Sequence, residues 1–164
     1  MFYGLSDKHQ IVELAQAVCA VLGDGNGFAV SLLVETCAAE TLLGKARDNT
    51  LYGAGAGVSQ VDYGTFAWLQ EKYTPRDLAA RIFDVFNIDL GLVAYKELDF
   101  SPLLSLIFCR LRYMTVTAPI PTTLSLRAEY WKEHYNTSAG KGTPEEYISR
   151  CLSSGAVEVL TDAK

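Results

Sequence analysis

From residue 28 to residue 43 the sequence reads FAVSLLVETCAAETLL, which is apolar on nearly every side of a helix. A surface helix keeps one polar face, so a stretch of this kind belongs in the middle of a helical core with other elements packed around it. Its last turn delivers Glu40, and Gly44 ends it. A chain built around such a rod is mainly α, and the remaining helix signals agree. Residues 6 to 22 carry Ile11, Leu14, Ala15, Val18 and Leu22 at helical spacing, opening after Ser6-Asp7 and stopping at Gly23-Asp24-Gly25-Asn26-Gly27. Thr74-Pro75-Arg76-Asp77, Ser101-Pro102 and Thr143-Pro144-Glu145-Glu146 each set a hydroxyl cap before a proline in the first turn, twice with acids at the positive end. They predict helices over 75–87, 102–114 and 144–153. Another helix follows Pro121, capped by Thr122 or Thr123 and running to about His134, before a loop over 135–142. Strand signals reduce to a short pair around 54–61, and there is no internal repeat.

With 164 residues and 49% hydrophobic content, the expectation is one domain over 1–164, whose core needs neither disulfides nor metals. A net charge of −5 with scattered Lys and Arg argues against a nucleic-acid partner, which requires a clustered basic face. Cys19, Cys37, Cys109 and Cys151 lie far apart among apolar neighbours, without a CxxC pair. They read as buried free thiols from a reducing compartment, with no metal and no cofactor expected. His9 and His134 lack paired ligand spacing, and Trp68 and Trp131 read as packing in the core or at a cleft edge. The opening MFYGLSDKHQ shows no basic segment followed by an apolar one, and no later run is long enough to span a bilayer. Synthesis without a secretory signal and without a membrane span is expected.

Chemistry concentrates between Glu40 and Asp62. A carboxylate in the last turn of a core helix stands against the negative end of the helix dipole, which raises its pKa and suits it to donate a proton. The run Gly53-Ala54-Gly55-Ala56-Gly57 has little side-chain cover, so a polysaccharide can lie against its backbone while one acid protonates a glycosidic oxygen. Glu35 is the rival carboxylate, but five residues along a helix turn it about 140° away. Neither the glycine run nor Gly140-Lys141-Gly142-Thr143 has phosphate-loop spacing. Gln60 and Asp62 also fit an ordinary self-satisfied turn, and Tyr135-Asn136 an ordinary helix end.

Three blocks in order, Glu40-Thr41-Leu42-Leu43-Gly44-Lys45, Gly57-Val58-Ser59-Gln60-Val61-Asp62, and Tyr135-Asn136 followed by Ala139-Gly140, resemble the signature blocks of goose-type lysozymes and lytic transglycosylases. Those blocks read E-S-x-x-G-K, G-L-M-Q-V-D and Y-N-x-G. Here Thr41 replaces serine, Val58-Ser59 replace Leu-Met, and the last glycine comes late. The small size and the opening without a signal are similar to phage-encoded members.

The resemblance implies a lysozyme-like domain with at most a small β element. It implies cleavage of the β-1,4 bond between N-acetylmuramic acid and N-acetylglucosamine in peptidoglycan. Glu40 is then the catalytic acid, Asp62 or Asp48 the group holding a water about 6.5–9.5 Å away, and Gly57, Gln60, Tyr135 and Asn136 the substrate-binding residues. With no acid in the second role, the sugar's own 6-hydroxyl attacks and an anhydro product forms. The partners implied are glycan strands and, for a virion-associated member, tail proteins. The resemblance further implies synthesis in a bacterial host's cytoplasm and action on the periplasmic wall. From another class, the same blocks suit a virion structural or peptidoglycan-binding module that keeps the fold with little turnover.

Overall fold

The computed structural model describes residues 1–47 and 54–164. It is mainly helical, with helices α1 (Lys8–Leu22), α2 (Ala29–Thr41), α3 (Tyr63–Tyr73), α4 (Asp77–Phe86), α5 (Pro102–Met114), α6 (Leu124–Trp131), α7 (Pro144–Ser154) and α8 (Ala156–Asp162). A 3₁₀ turn, Tyr95–Asp99, precedes α5, and a π-helical turn, Lys132–Asn136, extends α6. Among the described residues the β structure is a single antiparallel bridge between Ala56 and Val61. No helix among them is long and apolar enough to cross a membrane.

The all-round apolar stretch is the rod that its composition requires. α2 packs on α1, α5, α7 and α8, and Leu32, Leu33, Val34, Cys37 and Ala38 are fully enclosed. Most of the caps act as their residue types dictate. Asp7 takes the amides of His9 and Gln10, Ser101 that of Leu104 and Thr123 that of Leu126, while Thr143 and Glu146 form a reciprocal capping box. Thr74 departs from expectation. Its hydroxyl donates back to Gln70 O (2.6 Å), so it closes α3, and the next helix starts at Asp77 after Arg76.

α3 and α8 carry no predicted helix. α3 has apolar and polar residues on all sides and a glycine at its second position, so no stripe announces it. The four cysteines are free and buried.

Candidate active site

Glu40 is fixed by the way α2 ends. Leu42, Leu43 and Gly44 take successive left-handed conformations (φ 51°, 55° and 78°), a run that costs the two leucines steric energy. The turn is held by the full burial of Leu43 and by backbone bonds from Leu42 N to Ala38 O (3.0 Å), Leu43 N to Cys37 O (3.2 Å) and Phe2 N to Gly44 O (2.8 Å). It reverses the chain immediately beyond the acid. The Glu40 carboxylate is half-buried and accepts from Trp131 Nε1 at 3.1 Å. Burial pushes its pKa up to about 7, against the opposing effects of the Trp131 hydrogen bond and the Arg150 guanidinium.

Thr41 joins the acid's helix to the glycine-rich turn. Its hydroxyl proton faces the carbonyls of Val58 (2.7 Å) and Cys37 (3.0 Å), and its oxygen accepts from Gly44 N (3.2 Å). Serine would supply the same bonds. The turn is closed by paired backbone bonds between Ala56 and Val61 and by Gln60 N donating to Gly57 O. Val58 and Ser59 point into the core, where Ser59 exchanges hydrogen bonds with Ser105 on α5, hydroxyl to hydroxyl at 2.7 Å. Val58 and Ser59, where the sequence departs from the resembled pattern, therefore lie behind the cavity, whereas the late glycine, Gly140, lines it.

Gly57 also lies there. It is buried, its φ is +76°, a Cβ would meet Ser105 Oγ at 2.4 Å, and its amide donates to Asp99 (2.8 Å). Its place in the sequence follows from close packing, and it is not among the residues that line the cavity. Gln60, in left-handed conformation, does line it, with Nε2 donating to Gly57 O (2.9 Å) and Tyr3 Oη (3.2 Å).

Tyr135 and Asn136 belong to the π-helical turn, where a loop was expected. The wider turn is closed by Thr137 N donating to Lys132 O (2.8 Å). Tyr135 stacks on Tyr113 (5.1 Å between centroids) and donates to Ser59 O at 2.7 Å. Burial holds its phenol well above the usual value. Lys132 Nζ clamps Asn136 Oδ1 (2.7 Å) and Gly140 O (2.9 Å), which ties down the loop that follows.

These elements surround one open cavity of about 450 Å³, lined by Glu40, Gln60, Asp62, Tyr135 and Asn136 together with Arg47, Gly55 and Arg150. A second lobe of about 280 Å³ shares Glu40, Asn136 and Arg150 and is walled by Trp131, Lys141 and Glu146. The carboxylate thus lies between two hollows. Asp62 is exposed on the rim of the larger one and caps α3, with Oδ1 accepting from Thr65 N (2.9 Å) and Oδ2 from Thr65 Oγ1 (2.6 Å). Each oxygen keeps a lone pair for another donor. Asp48 and Gly53 lie outside the described residues. Glu35, earlier on α2, is enclosed and does not line the cavity; Arg127 grips it with two bonds (2.6 and 2.7 Å) and Tyr147 adds a third (3.0 Å). It is a structural ion pair. Among the described residues no three His, Cys, Asp or Glu side chains are grouped to hold a metal.

Two participants had no functional reading in the sequence, Trp131 as donor to the acid and Arg150 as its neighbouring charge. The tryptophan's amphipathic ring was a usable signal, since a buried indole N–H needs an acceptor. The chain matches no family model, no curated protein and no solved structure.

Proposed function

We propose that this protein is a lysozyme-like muralytic enzyme that cleaves the β-1,4 bond between N-acetylmuramic acid and N-acetylglucosamine in peptidoglycan, with Glu40 as the general acid. The observation that carries the reading is the convergence of Glu40, Gln60, Asp62, Tyr135 and Asn136, distant in sequence, on one open cavity around a carboxyl whose pKa is about 7. A carboxyl of that pKa is still half protonated at neutral pH and can give its proton to the leaving oxygen. An open, mixed polar and apolar hollow suits a chain polymer better than an enclosed small molecule. In this reading Gln60 and Asn136 line the saccharide path and Asp62 holds the attacking water, giving hydrolysis. Its capping bonds to Thr65 fix its position but also occupy part of its accepting capacity. The lytic transglycosylase outcome, in which the substrate's own hydroxyl attacks and Glu40 returns as base, needs no work from Asp62.

Glu40→Gln keeps the shape and removes the proton. Clearing of purified cell walls by the folded variant should fall at least about a hundredfold, the usual scale for one acid catalyst. Clearing within a few-fold of the unaltered protein would remove Glu40 from the chemistry and end the reading.

A further inference from the structure

The end of α2 leaves a specific deficit of hydrogen bonds. The amides of Leu42, Leu43, Lys45 and Ala46 go to the carbonyls of Ala38, Cys37, Leu42 and Thr41, so the left-handed turn passes over those of Ala39 and Glu40. Arg150, on α7, fills that gap. Its Nη1 donates to Ala39 O and, at 3.4 Å, to Glu40 O. The same side chain lines both hollows beside the acid.

We propose that Arg150 is the positioning residue of Glu40, holding the two carbonyls that the reversed turn leaves open and setting a fixed positive charge at the negative end of α2, beside the carboxyl. Its importance for catalysis rests on the muralytic reading above, but the coupling itself does not. A helix C-terminus and a half-buried site both disfavour a carboxylate, so without a cation the acid would keep its proton to higher pH. Arg150 lowers Glu40's pKa against burial, and thereby keeps the conjugate base accessible near neutrality.

Other groups around the acid are accounted for. Arg47 comes from the turn after α2, Asp62 from the start of α3, Lys141 from the loop before α7, and Glu146 from the first turn of α7. The phenols of Tyr113 and Tyr135 and the thiols of Cys37 and Cys109 also feel Glu40, and burial holds them neutral. Trp131 donates a neutral hydrogen bond. Among the described residues, Arg150 is the charged group bonded to the backbone of residue 40 itself.

The Trp131 indole N–H resonance reports the ionisation of Glu40 through their hydrogen bond, and following it against pH requires no substrate. In Arg150→Gln its midpoint should rise by at least about half a pH unit, a threefold tighter hold on the proton. Arg150→Lys, which keeps the charge, should restore most of that shift. In the unaltered protein the Arg150 side-chain N–H resonance should titrate with the same midpoint, a check that survives even if the glutamine variant does not fold. An unmoved midpoint in Arg150→Gln, a lysine variant displaced as far as the glutamine one, or a flat Arg150 resonance would each overturn the proposal. If the muralytic reading holds, the alkaline limb of kcat/KM shifts upward with the midpoint. Inactivity of the protein on cell walls, with the titrations as expected, would instead remove the muralytic reading and leave the coupling in place.

Discussion

Glu40 keeps its proton more tightly when folded than when unfolded, since burial raises its pKa from an ordinary 4.5 to about 7. The folded state therefore binds more protons between those values, and stability is lost as pH rises through that window. Below about pH 4.5 the carboxyl is neutral in both states and costs nothing extra. Glu40→Gln is neutral at every pH, so the variant should match the unaltered protein at acid pH and become more stable by about 1–3 kcal/mol above pH 7. The upper end follows from about 1.4 kcal/mol per pKa unit, and the lower end allows for solvent reaching the half-buried group. Denaturant melts from pH 4 to 8 measure the difference, and a constant gap across that range would show that the carboxyl is not strained by its site. Much of this residue's character was legible in the sequence, because a charge at the end of an apolar helix has few ways to be comfortable. The cause was not, since the rise comes from burial of the carboxyl, which depends on neighbours distant in sequence.

At the scale of elements, the site depends on the seam between the end of α2 and the glycine-rich turn, and Thr41 is its main stitch. Thr41→Val preserves shape and removes the hydroxyl, leaving the buried Val58 carbonyl and Gly44 amide without that partner. It should cost about 1–3 kcal/mol in chemical denaturation, whereas Thr41→Ser should cost less than about 1 kcal/mol. Equal losses in the two variants would mean that the methyl group, and not the hydroxyl, holds the seam. The helices that were legible were those with caps or an apolar stripe, as with Ser101-Pro102 and Thr143-Pro144-Glu145-Glu146. α3 escaped because Asp62 and Thr65, three residues apart, are a cap signal that also reads as part of a site. The π-helical turn escaped for a different reason. Its extra residue is stabilised by the Tyr135 bond to Ser59 O and by the Lys132 clamp, tertiary contacts that no local pattern encodes.

Across the whole molecule, α2 is the axis on which two kinds of carboxylate are sorted. Glu35 is enclosed with Arg127 and Tyr147 on the side facing α6 and α7, and Glu40, further along, opens on the cavity. The ion pair ties α6 to α2 and the Tyr147 hydrogen bond ties α7 to it, and these helices in turn bring Trp131 and Arg150 to the acid. From the sequence, the convergence of three blocks was an expectation carried by resemblance, and spacing alone did not contain it. The folded chain brings Gln60, Asp62, Tyr135 and Asn136 around Glu40, and leaves Gly57 behind the wall they form. Whether this arrangement cuts glycan strands is tested most directly by mass spectrometry of purified peptidoglycan after incubation with the protein, with Glu40→Gln as the control. Disaccharide-peptide fragments absent from the control are expected, ending in free reducing sugars if Asp62 delivers water and in 1,6-anhydro sugars if it does not. Intact strands after prolonged incubation with folded protein, or the same fragments from Glu40→Gln, would contradict the muralytic reading.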